Sequence, residues 1–274
     1  MQDKSNFWKI IKWTRSLVPS GRYLYLPLSG GLDSSTCLAV ASYAIGKSRT
    51  VGIHFSASTL RKKETENARR VSNLLGTRLI EIDLRRLAKD YRSVVKKEIA
   101  KIKLMPAEKS FDVTQNDSLM YIVLREIARE KHGLVVGTLD LAEILTGFYP
   151  KDLFAGDFLP LGGLLRFEVR GLAAKLGLPR LEESYAIVPG CGSIVDYVTG
   201  VVRKTTGKNP EIRNERDLDE RLKNSIYNPY SKKLSLDKFL ARVGHKAKTT
   251  LYGRPVYFPS IRRRILVNKL INQY

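Results

Sequence analysis

Apolar positions along the first two thirds of the chain follow two alternating spacings. Short apolar runs predict strands at 23–28, 50–55, 78–84 and 134–138. Stretches with apolar residues three or four positions apart predict helices at 7–18, 35–45, 63–75, 85–101, 117–131, 139–145 and 164–176. Because strands alternate with helices, we expect a parallel sheet whose crossovers are right-handed.

The same pattern predicts a fifth strand within 181–187, and so a doubly wound, five-stranded parallel α/β sheet. Asn116 is the expected cap of the helix that follows it. We expect Leu74 to lie on the buried side of its helix and Leu119, Ile122, Val123 and Ile127 to face the core.

The composition changes after residue 190. The remaining residues are rich in Lys and Arg, carry two Asn-Pro pairs and contain helical patterns at 217–222 and 234–243. The chain is therefore predicted to have a domain at 1–190 and a basic, mainly helical extension at 191–274.

The charge of the chain is strongly positive. It has 48 Lys and Arg against 27 Asp and Glu, a net charge of +21, which indicates contact with polyanions and leaves nucleic acid open as a partner. A general surface bias is the alternative. Two cysteines give neither a disulfide framework nor a metal spacing. With no leader-like start and no long apolar run, we expect a cytoplasmic protein without a membrane partner.

A glycine-rich loop between the first strand and its helix carries the most specific chemistry. Free amide groups at the helix start and two glycines make an anion pocket, to which two serine hydroxyls add donors. A carboxylate there fits Mg²⁺ held between it and a phosphate. The loop consists of Ser29, Gly30, Gly31, Leu32, Asp33 and Ser34.

Two further strand ends meet the same edge of the predicted sheet. His54 and Phe55 end the second strand and are a candidate wall of the ligand site, for adenosine if the anion is the phosphate of an adenine nucleotide. Glu143 follows the fourth strand, in the first turns of a helix, and is predicted to share Mg²⁺ with Asp33. Compensation of the helix dipole is the alternative role for Glu143.

These motifs resemble a known family. Ser-Gly-Gly-x-Asp-Ser resembles the pyrophosphate loop (PP-loop) of the ATP pyrophosphatases, which share an adenine nucleotide alpha hydrolase-like fold. The segment 136–148, with Gly-Thr at a strand end and Thr-Gly-Phe after a helix, is similar to NAD synthetase, as is the segment 159–179. The resemblance covers roughly residues 20–180.

The resemblance implies an ammonia-dependent ligase of NAD biosynthesis. ATP would adenylate the nicotinate carboxylate of deamido-NAD with release of pyrophosphate, and ammonia would displace AMP to give NAD. It also implies Mg²⁺ as cofactor, ATP as co-substrate and a homodimer. No glutaminase-like segment is found, so the nitrogen would come from free ammonia or a separate glutaminase.

The resemblance also implies roles for individual residues. The loop would bind the phosphates, Asp33 and Glu143 would bind Mg²⁺, and Arg166 would replace a phosphate-contacting lysine, which makes these three the implied catalytic set. Thr138 would touch the nucleotide. Lys151 and Asp157 would bind the acceptor.

The acceptor side departs from the family pattern. Met120 and Ile122 stand near positions where the family carries arginines, and the segment before Asp157 is one residue shorter. Two alternatives therefore stay open. One is a PP-loop enzyme that adenylates an RNA base, which the charge favours, and the other is a non-catalytic relative that binds nucleotide or RNA.

Overall fold

The structure of the chain is a computed structural model that describes residues 3–56, 62–99, 101, 112–146, 148, 156–179, 194–196, 198–199, 203 and 212–227. The four strands are β1 (Tyr23–Pro27), β2 (Thr50–Ser56), β3 (Arg78–Asp83) and β4 (Gly133–Val135). The helices are α1 (Asp3–Leu17), α2 (Leu32–Ile45), α3 (Lys62–Leu75), α4 (Arg85–Ile99), α5 (Asp112–Glu130), α6 (Leu141–Thr146), α7 (Arg166–Lys175) and α8 (Glu215–Tyr227).

The strands form one parallel sheet in the order β3-β2-β1-β4. Leu26 is in register with Gly52 on one side, and Tyr25 with Val135 on the other. Side chains of a strand alternate between its faces, and both faces of β1 are buried. Leu24 and Leu26 pack into one core cluster, whereas Tyr25 packs into another. A continuous apolar strand is the expected sequence for this central position.

Helices cover the sheet on both faces. The larger cluster joins residues of β1 to apolar residues of α1, α2, α3 and α7. The smaller cluster joins β1 and β2 to α5 through Tyr121, Leu124 and Ala128. The predicted doubly wound, parallel α/β architecture is therefore confirmed, with four strands in the described residues. The segment 181–187 lies outside them, as does the helix predicted at 234–243.

Phe158 extends the sheet beyond β4. It forms a parallel bridge with Val136, and the amide of Gly137 donates to its carbonyl at 3.0 Å. Gly156 sits at φ +140°, and a Cβ there would lie 2.4 Å from the Gly137 amide nitrogen. This close approach requires glycine, and it fixes the chain that follows the strand end carrying Thr138.

Several predicted boundaries and faces are wrong. α5 begins at Asp112, so Asn116 lies inside the helix, because a preference for the cap position is only a weak determinant of where a helix starts. Ile122 and Leu74 are 56% and 55% exposed. The face of α5 is set instead by Tyr121, Leu124 and Ala128, which meet the sheet. Within the described ranges, no helix combines the length and apolar character needed to cross a membrane.

Candidate functional site

The loop between β1 and α2 is folded by its own polar groups. The hydroxyls of Ser29 and Ser34 lie 3.0 Å apart, and the amides of Ser29 and Gly31 donate to Ser34 and Ser29 hydroxyls, each at 3.3 Å. Gly30 has φ +79°, and α2 begins at Leu32. The loop therefore places a helix start, whose first amides have no partner within the helix, at the end of the central strand.

Arg166 connects this loop to two other parts of the chain. Its Nη1 donates to Oδ2 of Asp33 at 3.1 Å and to Oδ2 of Asp140 at 3.0 Å. Its Nε lies 3.3 Å from Oε1 of Glu215 in α8. The side chain of Arg166 is 14% exposed, and those of its three partners are between 0% and 18% exposed. One guanidinium thus joins three carboxylates in a nearly closed site.

Asp140 and Glu143 form a reciprocal cap at the start of α6. The Glu143 amide donates to Oδ1 of Asp140 at 2.7 Å, and the Asp140 amide donates to Oε2 of Glu143 at 3.0 Å. This is a capping box with aspartate at the cap position. The structural role that the sequence offers for Glu143, at a helix start, is therefore present.

Several carboxyl groups of the site have raised pKa values because they are buried close together. The pKa of Asp33 is raised to about 6, mainly by burial; Arg166 lowers it, and the nearby Asp140 and Glu215 raise it. Burial also raises the pKa of Glu143 well above its usual value, with Asp140 and Asp33 adding to the effect. Each buried carboxylate therefore favours a partner that brings positive charge or a proton.

Other residues predicted for the site have defined positions but untested roles. His54 is 3% exposed; its Nδ1 donates to the Leu28 carbonyl, and its Nε2 lies 2.9 Å from Oγ1 of Thr65. Phe55 packs against the smaller core cluster, which joins β1 and β2 to α5. Oδ2 of Asp157 accepts from the amide of Val135 at 2.7 Å. Their contacts with adenosine or acceptor stay predictions.

The last two residues predicted for the site, Thr138 and Lys151, have no described contact with it. Thr138 lies three residues after the end of β4 and is half-buried. Lys151 lies outside the described residues.

Sequence reasoning missed two carboxylates of the site. Asp140 had a usable signal, because an acid three residues before a glutamate at a helix start is a capping pattern. Glu215 had none, since a glutamate in a basic region is ordinary in sequence and gains meaning only from its place beside Arg166.

Comparison with known proteins identifies the family of this chain. The family model described as NAD synthase matches residues 18–183, more than half of the chain. The NH3-dependent NAD(+) synthetase of Methanosarcina mazei is 30% identical over 154 residues, which are 56% of this chain. The chain spans 58% of the length of that relative.

Two solved structures share the fold. An NMN synthetase from Francisella tularensis has a TM-score of 0.63 and 17% identity, with 94% of this chain and 98% of the other covered. An NH3-dependent NAD synthetase from Campylobacter jejuni has a TM-score of 0.62 and 18% identity, with 95% and 98% covered. The match to the family model includes the Ser-Gly-Gly-x-Asp-Ser loop, Asp140, Glu143 and Arg166. Because it covers more than half of the chain, the chain belongs to the NAD synthase family.

Proposed function

We propose that the chain is an ammonia-dependent, NAD synthetase-like ligase that uses ATP to activate the nicotinate carboxylate of deamido-NAD. Family membership supports the reaction class. The observation that carries the proposal is the contact of Arg166 with both Asp33 and Asp140. It brings together the glycine loop, the segment after β4 and the start of α7 through largely buried side chains.

The chemistry of the donor set fits Mg²⁺. Oδ1 of Asp33 is buried and has no hydrogen-bond partner among the described residues, so this oxygen is left for a cation. Mg²⁺ is usually held by one or two carboxylates together with substrate phosphates and water. Within the described part of the chain, no group of three or more His, Cys, Asp and Glu side chains is arranged for a metal. Asp33 and Glu143 would therefore hold the ion together with phosphate oxygens, and the ion would neutralise charge on the triphosphate.

The proposed reaction has two steps, which the residues of the site assist. A carboxylate oxygen of the acceptor attacks the α-phosphorus of ATP, the bond to the β-phosphate oxygen breaks, and pyrophosphate leaves with that electron pair. Ammonia then attacks the acyl carbon, loses a proton, and AMP leaves. The helix start at Leu32 offers amide groups to the phosphates, and Arg166 offers a cation to the developing negative charge. Burial of the site limits loss of the acyl-adenylate to water.

The test is pyrophosphate release with MgATP, ammonia and deamido-NAD, followed together with NAD formation. We expect matched release and NAD formation by the wild type. We expect a loss of about 100-fold or more in Asp33→Asn, because this change removes a charged ligand while keeping the side chain's shape. Melting temperatures of both proteins control for folding. Pyrophosphate release that is unaffected by Asp33→Asn would contradict the proposal.

Glu143→Gln separates the two roles of Glu143. Glutamine at this position of a capping box still accepts the Asp140 amide, so the melting temperature is expected to stay within a few degrees. Activity is expected to fall strongly, and the Mg²⁺ concentration needed for half-maximal rate to rise, because a charged ligand is lost. A variant with wild-type Mg²⁺ dependence would leave Glu143 as a cap only.

The acceptor is the open part of the proposal. Because one solved neighbour is named an NMN synthetase, nicotinate mononucleotide is the second acceptor to test. The net charge of +21 favours the alternative of an RNA-modifying enzyme. Pyrophosphate release that needs tRNA, with affinity that falls steeply with salt, would support that alternative. MgATP binding without release for any acceptor would indicate a non-catalytic relative.

A homodimer, a cytoplasmic location and the supply of ammonia by a separate glutaminase belong to the same proposal. They follow from the family resemblance and from the sequence. Sedimentation of the purified chain tests the dimer directly.

A further inference from the structure

Arg166 is held along two edges of its guanidinium group. Asp33 and Asp140 accept from Nη1, whereas Glu215 faces Nε at 3.3 Å. The guanidinium is planar, so contacts at one nitrogen leave its plane free to turn, and a second contact along another edge fixes it.

Contacts between α8 and α7 hold Glu215 in position. Its other carboxylate oxygen, Oε2, accepts from Nη2 of Arg170 at 2.6 Å. One turn further, Oδ2 of Asp219 accepts from the amide of Phe167, at the start of α7, at 2.8 Å. Leu218 and Leu222 are each 1% exposed, so α8 also has a buried apolar side. The helix therefore presents Glu215 to Arg166 from a defined position.

We propose that Glu215 is a positioning residue that fixes the plane of Arg166, so that α8 completes the nucleotide site. α8 lies beyond residues 18–183, the segment that matches the family model. The inference rests on the proposed function, because Arg166 must meet ATP phosphates for its orientation to matter. It gives the first part of the 191–274 extension a role in the chemistry.

The electrostatics agree with this role. Glu215 is only 8% exposed, and its Oε1 and the Nε of Arg166 are buried without a well-aligned hydrogen bond between them. A charge pair buried in this way is weak as a stabilising contact, since loss of hydration offsets much of the attraction. Without the charge of Glu215, Arg166 still has Asp33 and Asp140 as partners, so we expect a larger effect on the orientation of Arg166 than on the stability of the fold.

The primary test compares Glu215→Gln with Glu220→Gln in the full chain. Glu220 lies on the same helix, and its side chain is 63% exposed, next to Arg216. We expect Glu215→Gln to raise the Kd of MgATP and the KM for ATP about tenfold, with a smaller change in the KM for the acceptor. The melting temperature should change little. Glu220→Gln should match the wild type in all four measurements.

Two further variants, Arg166→Lys and Arg170→Met, distinguish an effect on the orientation of Arg166 from an effect on the docking of α8 against α7. Lysine has no Nε and no planar group, so in Arg166→Lys the further change Glu215→Gln is expected to have little effect on MgATP affinity. Arg170→Met removes the other ion pair of Glu215 but not Arg166 itself. If Arg170→Met weakened MgATP binding as much as Glu215→Gln does, loss of docking would explain the effect and the inference would be overturned.

The outcomes also separate this inference from the proposed function. An active enzyme in which Glu215→Gln binds MgATP like the wild type would overturn the inference and keep the activity. A wild type that binds MgATP but releases no pyrophosphate would overturn the activity, while a tenfold weaker Kd in Glu215→Gln would still support the inference. A wild type that does not bind MgATP would overturn both.

Discussion

Gly30 is the residue at which the glycine loop at 29–34 meets α3. Its φ is +79°, and a Cβ there would lie 2.5 Å from the Ala68 amide nitrogen and from Cβ of Asn67. Glycine is thus required twice, by the backbone conformation and by the neighbouring helix. The close approach holds the loop against α3, which also contacts His54 through Thr65.

Gly30→Ala is therefore expected to destabilise the protein more than a change in backbone preference alone. Gly21→Ala is the matched control, because Gly21 has nearly the same φ, +77°, but nothing within 4 Å of a Cβ. We expect Gly21→Ala to cost about 1 kcal/mol and Gly30→Ala about 2 kcal/mol more. Urea unfolding measures both, and equal losses would show that the loop moves aside without cost.

Among the elements, α5 shows how packing chooses a helix face. Apolar residues occur around much of this helix, and the spacing alone favoured a face that includes Ile122. In the fold, Leu124 is fully buried against the sheet and Ile122 is 56% exposed. The choice follows from Tyr121 and Ala128, which share the buried side with Leu124.

Leu124→Ala and Ile122→Ala test this face within one helix. We expect Leu124→Ala to lower the free energy of unfolding by about 2–4 kcal/mol, because it opens a cavity in the smaller core cluster. Ile122→Ala is expected to change it by less than about 0.5 kcal/mol. Thermal or urea unfolding distinguishes the two, and a reversed order would mean that α5 is rotated.

On the scale of the whole molecule, a strongly basic chain contains an acidic cluster. Asp33, Asp140, Glu143 and Glu215 all act electrostatically on Arg166, although the chain carries +21 overall. A positive net charge favours association with polyanions, whereas a cluster of buried carboxylates favours a cation. The contact between α7 and α8 joins the family-matched part of the chain to its extension.

The stability contributed by that contact is expected to depend on pH through Asp219. Its pKa is raised from 3.8 to about 6, mainly by burial; the Phe167 amide and Arg166 lower it, and Asp140 and Glu215 raise it. A raised carboxyl pKa means that the folded state binds the proton more tightly. Stability from this group is therefore present below pH 3.8 and is lost as the pH rises to about 6.

Asp219→Asn should accordingly become more stable, relative to the wild type, as the pH rises from 4 to 7. We expect the difference to reach about 1 kcal/mol, with a plateau above. Asp219→Ala also removes the acceptor of the Phe167 amide and is expected to be less stable than Asp219→Asn at every pH. Melting curves across this range provide the measurement, and a pH-independent difference between Asp219→Asn and the wild type would contradict the assignment.

Sequence by itself determined the local features. Alternating strand and helix patterns were enough for the parallel α/β class, and the loop at 29–34 with the segment 136–148 was enough for the family, because both depend on residues close together in the chain. These predictions are confirmed. The activity, the site roles and the boundary at residue 190 stay predictions.

Only the tertiary structure decided which charges meet. Arg166 reaches Asp33 across 133 positions of the chain and Asp140 across 26, and Glu215 reaches Arg166 because α8 packs on α7. No local pattern encodes such a meeting, since it depends on how the helices pack on the sheet and on each other. The physical reason is that a buried charge must be paired, and packing alone determines which opposite charges are near it.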